Sequence, residues 1–303
     1  MAQDLDVLCL GEPLVEFSQE ADGRYARGFG GDVSNVAIAV ARSGGAAGIA
    51  TRLGADAFGD GLAALWADEG VDAGAVERDA AAATGLYFVT HGPEGHRFDY
   101  LRRGSAASRM APGWPDDAVL GRARVLHVSG IGCAISDTAR DAVADAVDRA
   151  RGLGVRISYD TNHRPKLWDR DVAAGVTADM LSRADIALPS LEDAEVLFGL
   201  DDPQAVLDRV LGLGPQVVAL TMGAGGVWIA TPEGRWHIPA ADVAAVDANG
   251  AGDTFDGYFL SGVTAGDDLM TAARRGIVAA GIAVTRAGAV AGIPWAEEVA
   301  AVS

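Results

Sequence analysis

The chain contains four short apolar runs at near-constant spacing: VLHVSG (125–130), VRISYD (155–160), IALPS (186–190) and VVALTMG (217–223). They begin 30, 31 and 31 residues apart, are rich in Val, Ile and Leu, and end at Gly, Asp or Ser. Between the first two, residues 141–151 repeat Ala and Val at three- and four-residue steps, which predicts an amphipathic helix. This alternation predicts βαβ units, and therefore an α/β fold with a parallel sheet flanked by helices.

Three further segments have strand character. Residues 7–10 predict a first strand, and segments 15–31 and 84–102 contain short stretches of alternating polarity. Within the last segment, HGPEG (91–95) favours a turn, so we predict a hairpin there. We expect the two longer segments to form a small β lid over the parallel sheet of a single domain, 1–303. An edge hairpin of the main sheet is the alternative.

Composition excludes several classes of protein. Of 303 residues, 50% are apolar and 22% charged, which is typical of a globular chain rather than a disordered one. Lys and Arg total 24 against 42 Asp and Glu, a net charge of −18, and Lys166 is the single lysine. Nucleic-acid binding usually needs a basic surface, so we expect no nucleic-acid partner. A Walker A loop is also excluded, since Lys166 follows Pro165.

Cysteine content and hydropathy bear on location. Cys9 and Cys133 cannot make a disulfide framework, which favours a reducing compartment. The first residues lack the basic region of a signal peptide, and the longest nearly apolar run, 276–284, is too short to cross a bilayer. The five histidines do not have metal-ligand spacing. We therefore expect a cytoplasmic protein with no membrane partner and no dedicated metal site.

The sharpest motif is DANGAGDTF (247–255), in which Gly250, Ala251 and Gly252 form a small-residue loop before a helical pattern. Such a loop directs backbone N–H groups and the positive end of the helix dipole at one point, where a phosphate can bind. Asp253 falls in the first helical turn. On local sequence alone it is either a helix cap or a base that takes a proton from an attacking hydroxyl.

A second motif, GGDVSNVA (30–37), precedes another helical pattern. It is either a glycine turn with a capping residue or a close approach of backbone and Asn35 to a polyhydroxylated ligand. Dinucleotide binding competes, but the one Gly-x-Gly-x-x-Ala stretch, 59–64, follows no predicted strand. That fingerprint therefore lacks its structural context.

Ligands of open parallel sheets bind beyond the carboxyl ends of the strands. In this chain that rule gathers 130–131, 160–162, Ser190 and 221–223 around one crevice. The crevice is where we expect the ligands to meet.

Together the two motifs resemble the signatures of the ribokinase-like (PfkB) carbohydrate kinase family. The resemblance covers nearly the whole chain and includes RLGADAFG (52–59) and TGLY (84–87). It implies a Rossmann-like core with a β lid, and phosphoryl transfer from ATP, with Mg²⁺, to a sugar hydroxyl. It further implies Asp253 as the base, with Gly250, Ala251 and Gly252 as the anion hole.

Two more stretches, YLRRGSAAS (100–108) and YDTNHRPKLW (159–168), look like those of the 2-keto-3-deoxygluconate kinase subfamily. In that subfamily lid Tyr and Arg residues and a second Arg hold an acid sugar, and an Arg fork does bind a carboxylate at two points. A solvated charge or a structural ion pair is the alternative for each Arg. The implied substrate-binding residues are Gly31, Asn35, Tyr87, Tyr100, Arg102, Ile131 and Arg164.

Nucleotide contacts are implied along the carboxyl edge of the sheet, beside the helix near 276–284. The residues concerned are Ser190, Thr221, Gly223, Gly226 and Gly252. The chain departs from the family here, since SLED (190–193) replaces Asn-x-x-Glu and Thr221-Met222 lacks the common Lys or Arg. Ala289 replaces an Asp of some acid-sugar kinases, and a monovalent cation near Asp247 is an implication of the family alone.

Other functions stay open on the sequence. The acceptor could be a neutral sugar such as fructose or ribose, or a nucleoside. The fold could also serve as a non-catalytic sugar- or nucleotide-binding module, and a dehydrogenase is the weakest alternative. Pairing of the lid sheet with a second copy would give a homodimer or higher oligomer, although charge can equally block an edge strand.

Overall fold

A computed structural model describes residues 3–92 and 95–302. The strands are β1 (Leu5–Leu10), β2 (Leu14–Gln19), β3 (Tyr25–Gly30), β4 (Ala47–Gly54), β5 (Asp72–Asp79), β6 (Leu86–Gly92), β7 (Gly95–Leu101), β8 (Ala123–Ser129), β9 (Arg156–Asp160), β10 (Ile186–Leu188), β11 (Val217–Thr221), β12 (Val227–Thr231) and β13 (Gly234–Ile238). The α-helices are α1 (Asp32–Arg42), α2 (Ala57–Asp68), α3 (Asp117–Leu120), α4 (Gly130–Ala134), α5 (Asp137–Gly152), α6 (Arg170–Arg183), α7 (Leu191–Phe198), α8 (Pro203–Leu211), α9 (Ala251–Ala265), α10 (Leu269–Ala283), α11 (Ala289–Gly292) and α12 (Ala296–Ala300). Short 3₁₀ turns occupy Ala107–Arg109 and Gly223–Gly225.

The main sheet has nine strands in the order β13-β12-β11-β10-β9-β8-β1-β4-β5. The seven strands from β11 to β5 run parallel, and β12 and β13 extend one edge as an antiparallel hairpin. The predicted α/β fold with a mostly parallel sheet is therefore confirmed, and the four spaced apolar runs supply β8 to β11.

Helices cover both faces of this sheet. Successive residues of β1 point to opposite sides, since Val7 and Cys9 join one apolar cluster whereas Leu8 and Leu10 join the other. The predicted amphipathic helix is α5, and its expected apolar face is buried: Ala142, Val143, Ala146, Val147 and Ala150.

Helices α1 and α9 cross on one face of the sheet at very short range. A Cβ added to Gly257 of α9 would lie only 2.4 Å from Ala39 Cβ of α1. The absent side chain therefore allows two helices with motif-bearing N-termini to lie side by side.

A separate four-stranded sheet has the order β3-β2-β6-β7. Strands β2 and β3 pair antiparallel, β6 and β7 form the predicted antiparallel hairpin, and β2 joins β6 in parallel. The small sheet is confirmed and is not an edge of the main one. The middle of the predicted turn, Pro93 and Glu94, lies outside the described residues. A role as a lid stays a prediction.

One sequence inference was wrong. The stretch 59–64 does follow a strand, because β4 ends at Gly54, and its glycines lie inside α2 rather than in a loop. Strand β4 escaped notice because AGIATRLG is buried on both faces and shows no alternation. Among the described helices none is long and apolar enough to cross a membrane. Cys9 and Cys133 are free and buried.

Candidate active site

A cleft lies where the small sheet overhangs the carboxyl ends of the central strands. It is lined by Glu12, Leu14, Gly31, Asp32, Asn35, Tyr87, Phe98, Tyr100, Arg102, Ile131, Arg164, Asn249 and Asp253. All seven substrate-binding positions implied by the resemblance are in this set, together with the implied base. Residues of the small sheet, of the loops after β1 and β9, and of the N-terminal turns of α1, α4 and α9 thus converge on one space.

Asp253 stands in the first turn of α9, which begins after Gly250 in a left-handed conformation at φ 76°. Its carboxylate accepts a hydrogen bond at Oδ2 from Asn35 Nδ2, 2.7 Å away, and the helix has no side-chain cap. The capping interpretation of Asp253 is therefore not supported. The Asn35 amide instead fixes the direction of the carboxylate.

The environment of Asp253 suits a proton acceptor. Burial, and next the nearby charge of Asp32, raise the pKa of this carboxyl to about 7, while Asn35 and Arg164 act in the opposite direction. A carboxyl that titrates near neutral pH is a far better proton acceptor than one with an ordinary pKa.

Gly31 shapes the approach to α1. Its φ is +95°, and an added Cβ would lie 2.7 Å from both Glu12 O and Pro13 Cα. No L side chain fits this backbone without displacing neighbouring main chain. The glycine lets the chain pass under the small sheet and enter α1 with Asp32 and Asn35 facing the cleft.

The start of α9 leaves room for an anion. The first N–H groups of any helix have no partner within it. At Gly252 an added Cβ would meet no atom within 4 Å, whereas one at Gly250 would lie 3.1 Å from Ala289 Cβ. The loop is packed on its inner side and open on its outer side, as a phosphate cradle requires.

The two implied carboxylate-binding arginines differ. Arg102 is 8% exposed and pairs with Glu12, which is fully buried; Arg102 Nε lies 2.7 Å from Glu12 Oε2. Burial raises the pKa of Glu12 although Arg102 opposes the shift. Arg164 is exposed, donates to the carbonyl oxygen of His163 at 3.0 Å, and forms no ion pair within the described residues. Arg164 is therefore the cation available to a ligand.

Aromatic side chains of the small sheet line the cleft from above. The Tyr87 and Tyr100 ring centroids are 5.6 Å apart, and those of Phe98 and Tyr100 are 6.4 Å apart. The Tyr87 hydroxyl donates to Glu16, and burial raises the pKa of Tyr87. Tyr100 is 38% exposed, so this face of the sheet is accessible to a ligand.

The implied nucleotide residues form a second group at the ends of β10 and β11. Ser190 caps α7 and forms an isolated parallel β-bridge with Thr221. Gly223 and Gly226 have positive φ, and a Cβ at Gly226 would lie 2.1 Å from Ile238 O. The structure brings these four residues together, but neither they nor Gly252 line the cleft described above.

Two carboxylates near the proposed phosphate end of the site, Asp193 and Asp247, accept hydrogen bonds from elsewhere in the chain. Asp193 accepts hydrogen bonds from Thr161 Oγ1 at 2.8 Å and from the His163 N–H at 3.0 Å. Asp247 accepts from the N–H groups of Asn249 and Gly288, each 2.9 Å away. In the described ranges, no three His, Cys, Asp or Glu side chains are grouped to hold a metal ion.

Sequence reasoning missed five residues of the cleft: Glu12, Leu14, Asp32, Phe98 and Asn249. Asp32 and Asn249 lie inside the two quoted motifs, so their proximity to a ligand could have been suspected. Nothing in the local sequence marks Glu12, because only the fold brings it to Arg102.

Comparison with known proteins identifies the family. Residues 4–296 match the pfkB family carbohydrate kinase model. A 2-dehydro-3-deoxygluconokinase of Thermoproteus tenax is 33% identical over 92% of this chain and 88% of its own length. Fructokinase-1 of Oryza sativa subsp. japonica is 34% identical over 84% of this chain and 81% of its own.

A solved structure agrees. Fructokinase with bound ATP from Xylella fastidiosa superposes with a TM-score of 0.90 at 28% identity, covering 98% of this chain and 97% of that one. The family match over residues 4–296 and this superposition over almost the full length lead to one conclusion. The chain belongs to the pfkB family of carbohydrate kinases.

Proposed function

We propose that this chain is an ATP-dependent kinase of an acid sugar, with 2-keto-3-deoxygluconate as the acceptor and its terminal hydroxyl as the site of transfer. The observation that carries the proposal is the placement of Asp253 in one cleft with Arg164, an exposed cation with no ion-pair partner in the part of the chain that the structure describes. A base for the hydroxyl and a partner for the carboxylate are thereby present together.

In the proposed reaction Asp253 accepts the proton of the sugar hydroxyl. The oxygen attacks the γ-phosphorus of ATP, the bond to the β-phosphate oxygen breaks, and ADP leaves. The amide groups at Gly250, Ala251 and Gly252 stabilise charge on the equatorial oxygens, where most catalysis of phosphoryl transfer resides. Closure of the small sheet as a lid excludes water, which would otherwise compete as acceptor.

The nucleotide is proposed to lie along Ser190, Thr221, Gly223 and Gly226, with its phosphates reaching Gly252. Mg²⁺ in such a site neutralises phosphate charge, and it is commonly held by phosphates and water rather than by a protein cage. A monovalent cation near Asp247 stays a prediction of the resemblance.

The choice of an acid sugar rests on Arg164, supported by a 33% identical 2-dehydro-3-deoxygluconokinase. A neutral ketose is the second candidate, because a fructokinase is equally similar and Arg102 is already neutralised by Glu12. Because Arg102 is paired with Glu12, the preference for an acid depends on the single contact with Arg164.

The test is phosphorylation of 2-keto-3-deoxygluconate, fructose and ribose with ATP and Mg²⁺, with products identified by mass spectrometry. A kcat/KM highest for the sugar acid supports the proposal, and one higher for fructose selects the neutral alternative. Absence of any phosphorylated product together with retained ATP binding would favour a non-catalytic module.

A further inference from the structure

Glu12 is a fully buried acid at the junction between the two sheets. It follows β1 of the main sheet, whereas its partners Arg102 and Ser105 follow β7 of the small sheet. Arg102 Nε donates to Glu12 Oε2 at 2.7 Å, and Ser105 Oγ donates to Glu12 Oε1. A Cβ added to Gly85 would lie only 2.8 Å from Glu12 Oε1, so the chain packs closely on this carboxylate and holds it beside Arg102.

Arg102 has a donor group that this pair leaves unsatisfied. Its Nη2 contacts Glu12 as an ion pair, but it is buried and has no hydrogen-bond partner among the described residues. The same side chain lines the cleft. A guanidinium beside a carboxylate still donates hydrogen bonds, although the pair as a whole carries no net charge. Arg102 can therefore donate to a sugar oxygen without favouring a negatively charged sugar.

The charge of the cleft depends on five of the side chains that line it. Three acids, Glu12, Asp32 and Asp253, are set against two arginines, Arg102 and Arg164. With all five ionised, the balance is one negative charge. A sugar carboxylate has to bind against that balance, and Glu12 contributes the charge that cancels Arg102.

We infer that Glu12 is a positioning residue that sets the sugar specificity of the cleft, because it holds Arg102 in place and cancels its charge. Arg102 then contacts acid and neutral sugars alike, and Arg164 alone distinguishes them. This inference rests on the proposed function, because it assumes a sugar in the cleft. A change at Glu12 that removes its charge and keeps its shape should therefore strengthen the binding of acid sugars rather than weaken it.

The experiment compares Glu12→Gln with wild type. Gln has nearly the same shape, accepts from Arg102 through its amide oxygen and can donate to Ser105. Dissociation constants for 2-keto-3-deoxygluconate and fructose are measured by calorimetry at pH 8, above the pKa of about 7 to which Asp253 is raised. Relative to fructose, Glu12→Gln should bind the acid about 10-fold more tightly than wild type does, as expected for one added charge-assisted contact. An unchanged ratio of the two constants would overturn the inference.

Glu69→Gln is the matched control. Glu69 forms an ion pair with Arg42 in which each side chain is only 10% exposed, and it does not line the cleft. This variant should keep the wild-type ratio of the two dissociation constants. An equal shift in Glu69→Gln would show a general effect of breaking a buried ion pair, and it would contradict a role specific to Glu12.

A second comparison applies if Glu12→Gln does not fold, since an uncompensated buried charge destabilises a protein. The double variant Glu12→Gln, Arg102→Gln loses one charge of each sign, so it should keep the wild-type ratio of acid to fructose affinity. Arg102→Gln alone leaves Glu12 uncompensated and should weaken binding of the acid about 10-fold. A double variant that binds the acid as weakly as Arg102→Gln would show that Arg102 itself holds the carboxylate, and the inference would be wrong.

Failure of the proposed function gives a different result. A wild type that phosphorylates neither 2-keto-3-deoxygluconate nor fructose overturns the proposed function, and this inference with it. If fructose alone is phosphorylated, the proposed acceptor is wrong. The acid is then titrated as a competitive inhibitor, and a tighter inhibition constant in Glu12→Gln, with unchanged affinity for fructose, still supports the role of Glu12.

Discussion

The two halves of the proposed reaction site are built differently. The sugar half consists of side chains that hold one another: Asn35 on Asp253, Ser129 and Asn162 on Asp32. The nucleotide half consists of strand ends and glycine turns, in which Ser190 caps a helix and Gly226 packs on backbone. The sugar half depends on the chemical identity of its side chains, and the nucleotide half depends mainly on the shape of its backbone.

This difference teaches where specificity resides. Directional side chains discriminate between ligands because a wrong group leaves a buried polar atom unpaired. Backbone N–H groups and a helix dipole bind phosphate of any origin. Substitutions in the sugar half should therefore change which acceptor reacts, whereas those in the nucleotide half should change affinity for ATP.

The largest effect on turnover is expected from Asp253→Asn. Loss of the general base should lower kcat by about 10²-fold or more, while the sugar still binds. Steady-state ADP release gives kcat, and calorimetry gives the sugar affinity. Near-normal turnover would remove Asp253 from the reaction and make the sugar half a binding site alone.

Arg102→Ala should act on stability first. Removing one partner of a buried ion pair leaves Glu12 uncompensated, which costs about 3–5 kcal/mol in such cases. Urea denaturation measures the loss. The double variant Glu12→Gln, Arg102→Met should recover much of it. If Arg102→Ala is as stable as wild type but binds acid sugars poorly, Arg102 belongs with the ligand contacts instead.

Arg164→Ala should act on selectivity and leave stability unchanged. Loss of a charge-assisted hydrogen bond should raise KM for 2-keto-3-deoxygluconate by about 10- to 100-fold and leave KM for fructose nearly constant. Arg103→Ala is the control, since Arg103 is also exposed but does not line the cleft. Equal losses on both sugars would contradict a carboxylate contact.

The pH dependence tests the electrostatics of the sugar half. Asp253 must be ionised to accept a proton, and its pKa is raised to about 7. Activity should therefore fall as pH drops through about 7. Asp32→Asn removes the like charge that helps raise this pKa, so its acidic limb should move to lower pH. The profile of kcat/KM from pH 5 to 9 measures this shift. An acidic limb at the same pH in Asp32→Asn would show that the charge of Asp32 does not raise the pKa of Asp253.

The smallest effect concerns the nucleotide half. A Cβ on Gly252 meets no protein atom, so Gly252→Ala should keep or raise stability by about 0.5–1 kcal/mol and weaken ATP binding by filling the anion space. Gly250→Ala should instead destabilise, because φ is +76° and Ala289 is close. Thermal denaturation and ATP titration of both variants distinguish them. Unchanged ATP affinity in Gly252→Ala would show that the phosphates of ATP bind elsewhere.

Much of this organisation was predictable from the chain alone. The spacing of the four apolar runs predicted the parallel strands β8 to β11, and the two glycine motifs predicted where α1 and α9 begin. Strands β4 and β5 were missed because neither shows alternating apolar and polar residues. Strand β4 is buried on both faces, and β5 is a charged strand at the edge of the sheet. A local sequence pattern cannot reveal a strand that is defined by its pairing with neighbouring strands.

The site followed the same rule. Asn35 and Asp253 were predicted from their motifs and line the cleft, although their mutual hydrogen bond was not predicted. The pairing of Arg102 with Glu12 joins distant parts of the chain and has no sequence signal. Two arginines that look equivalent in sequence therefore differ in charge balance once the chain is folded.

The small sheet has a consequence for how the chain is made. Backbone hydrogen bonds between β2 and β6 join its two hairpins, and α1, β4, α2 and β5 lie between these hairpins in the chain. During synthesis the β2–β3 hairpin emerges before residues 86–101 have been made. Until then the edge of β2 that pairs with β6 has no partner strand. Such non-local pairing is slow relative to local contacts, so the nascent chain exposes an unpaired strand edge until the small sheet is complete.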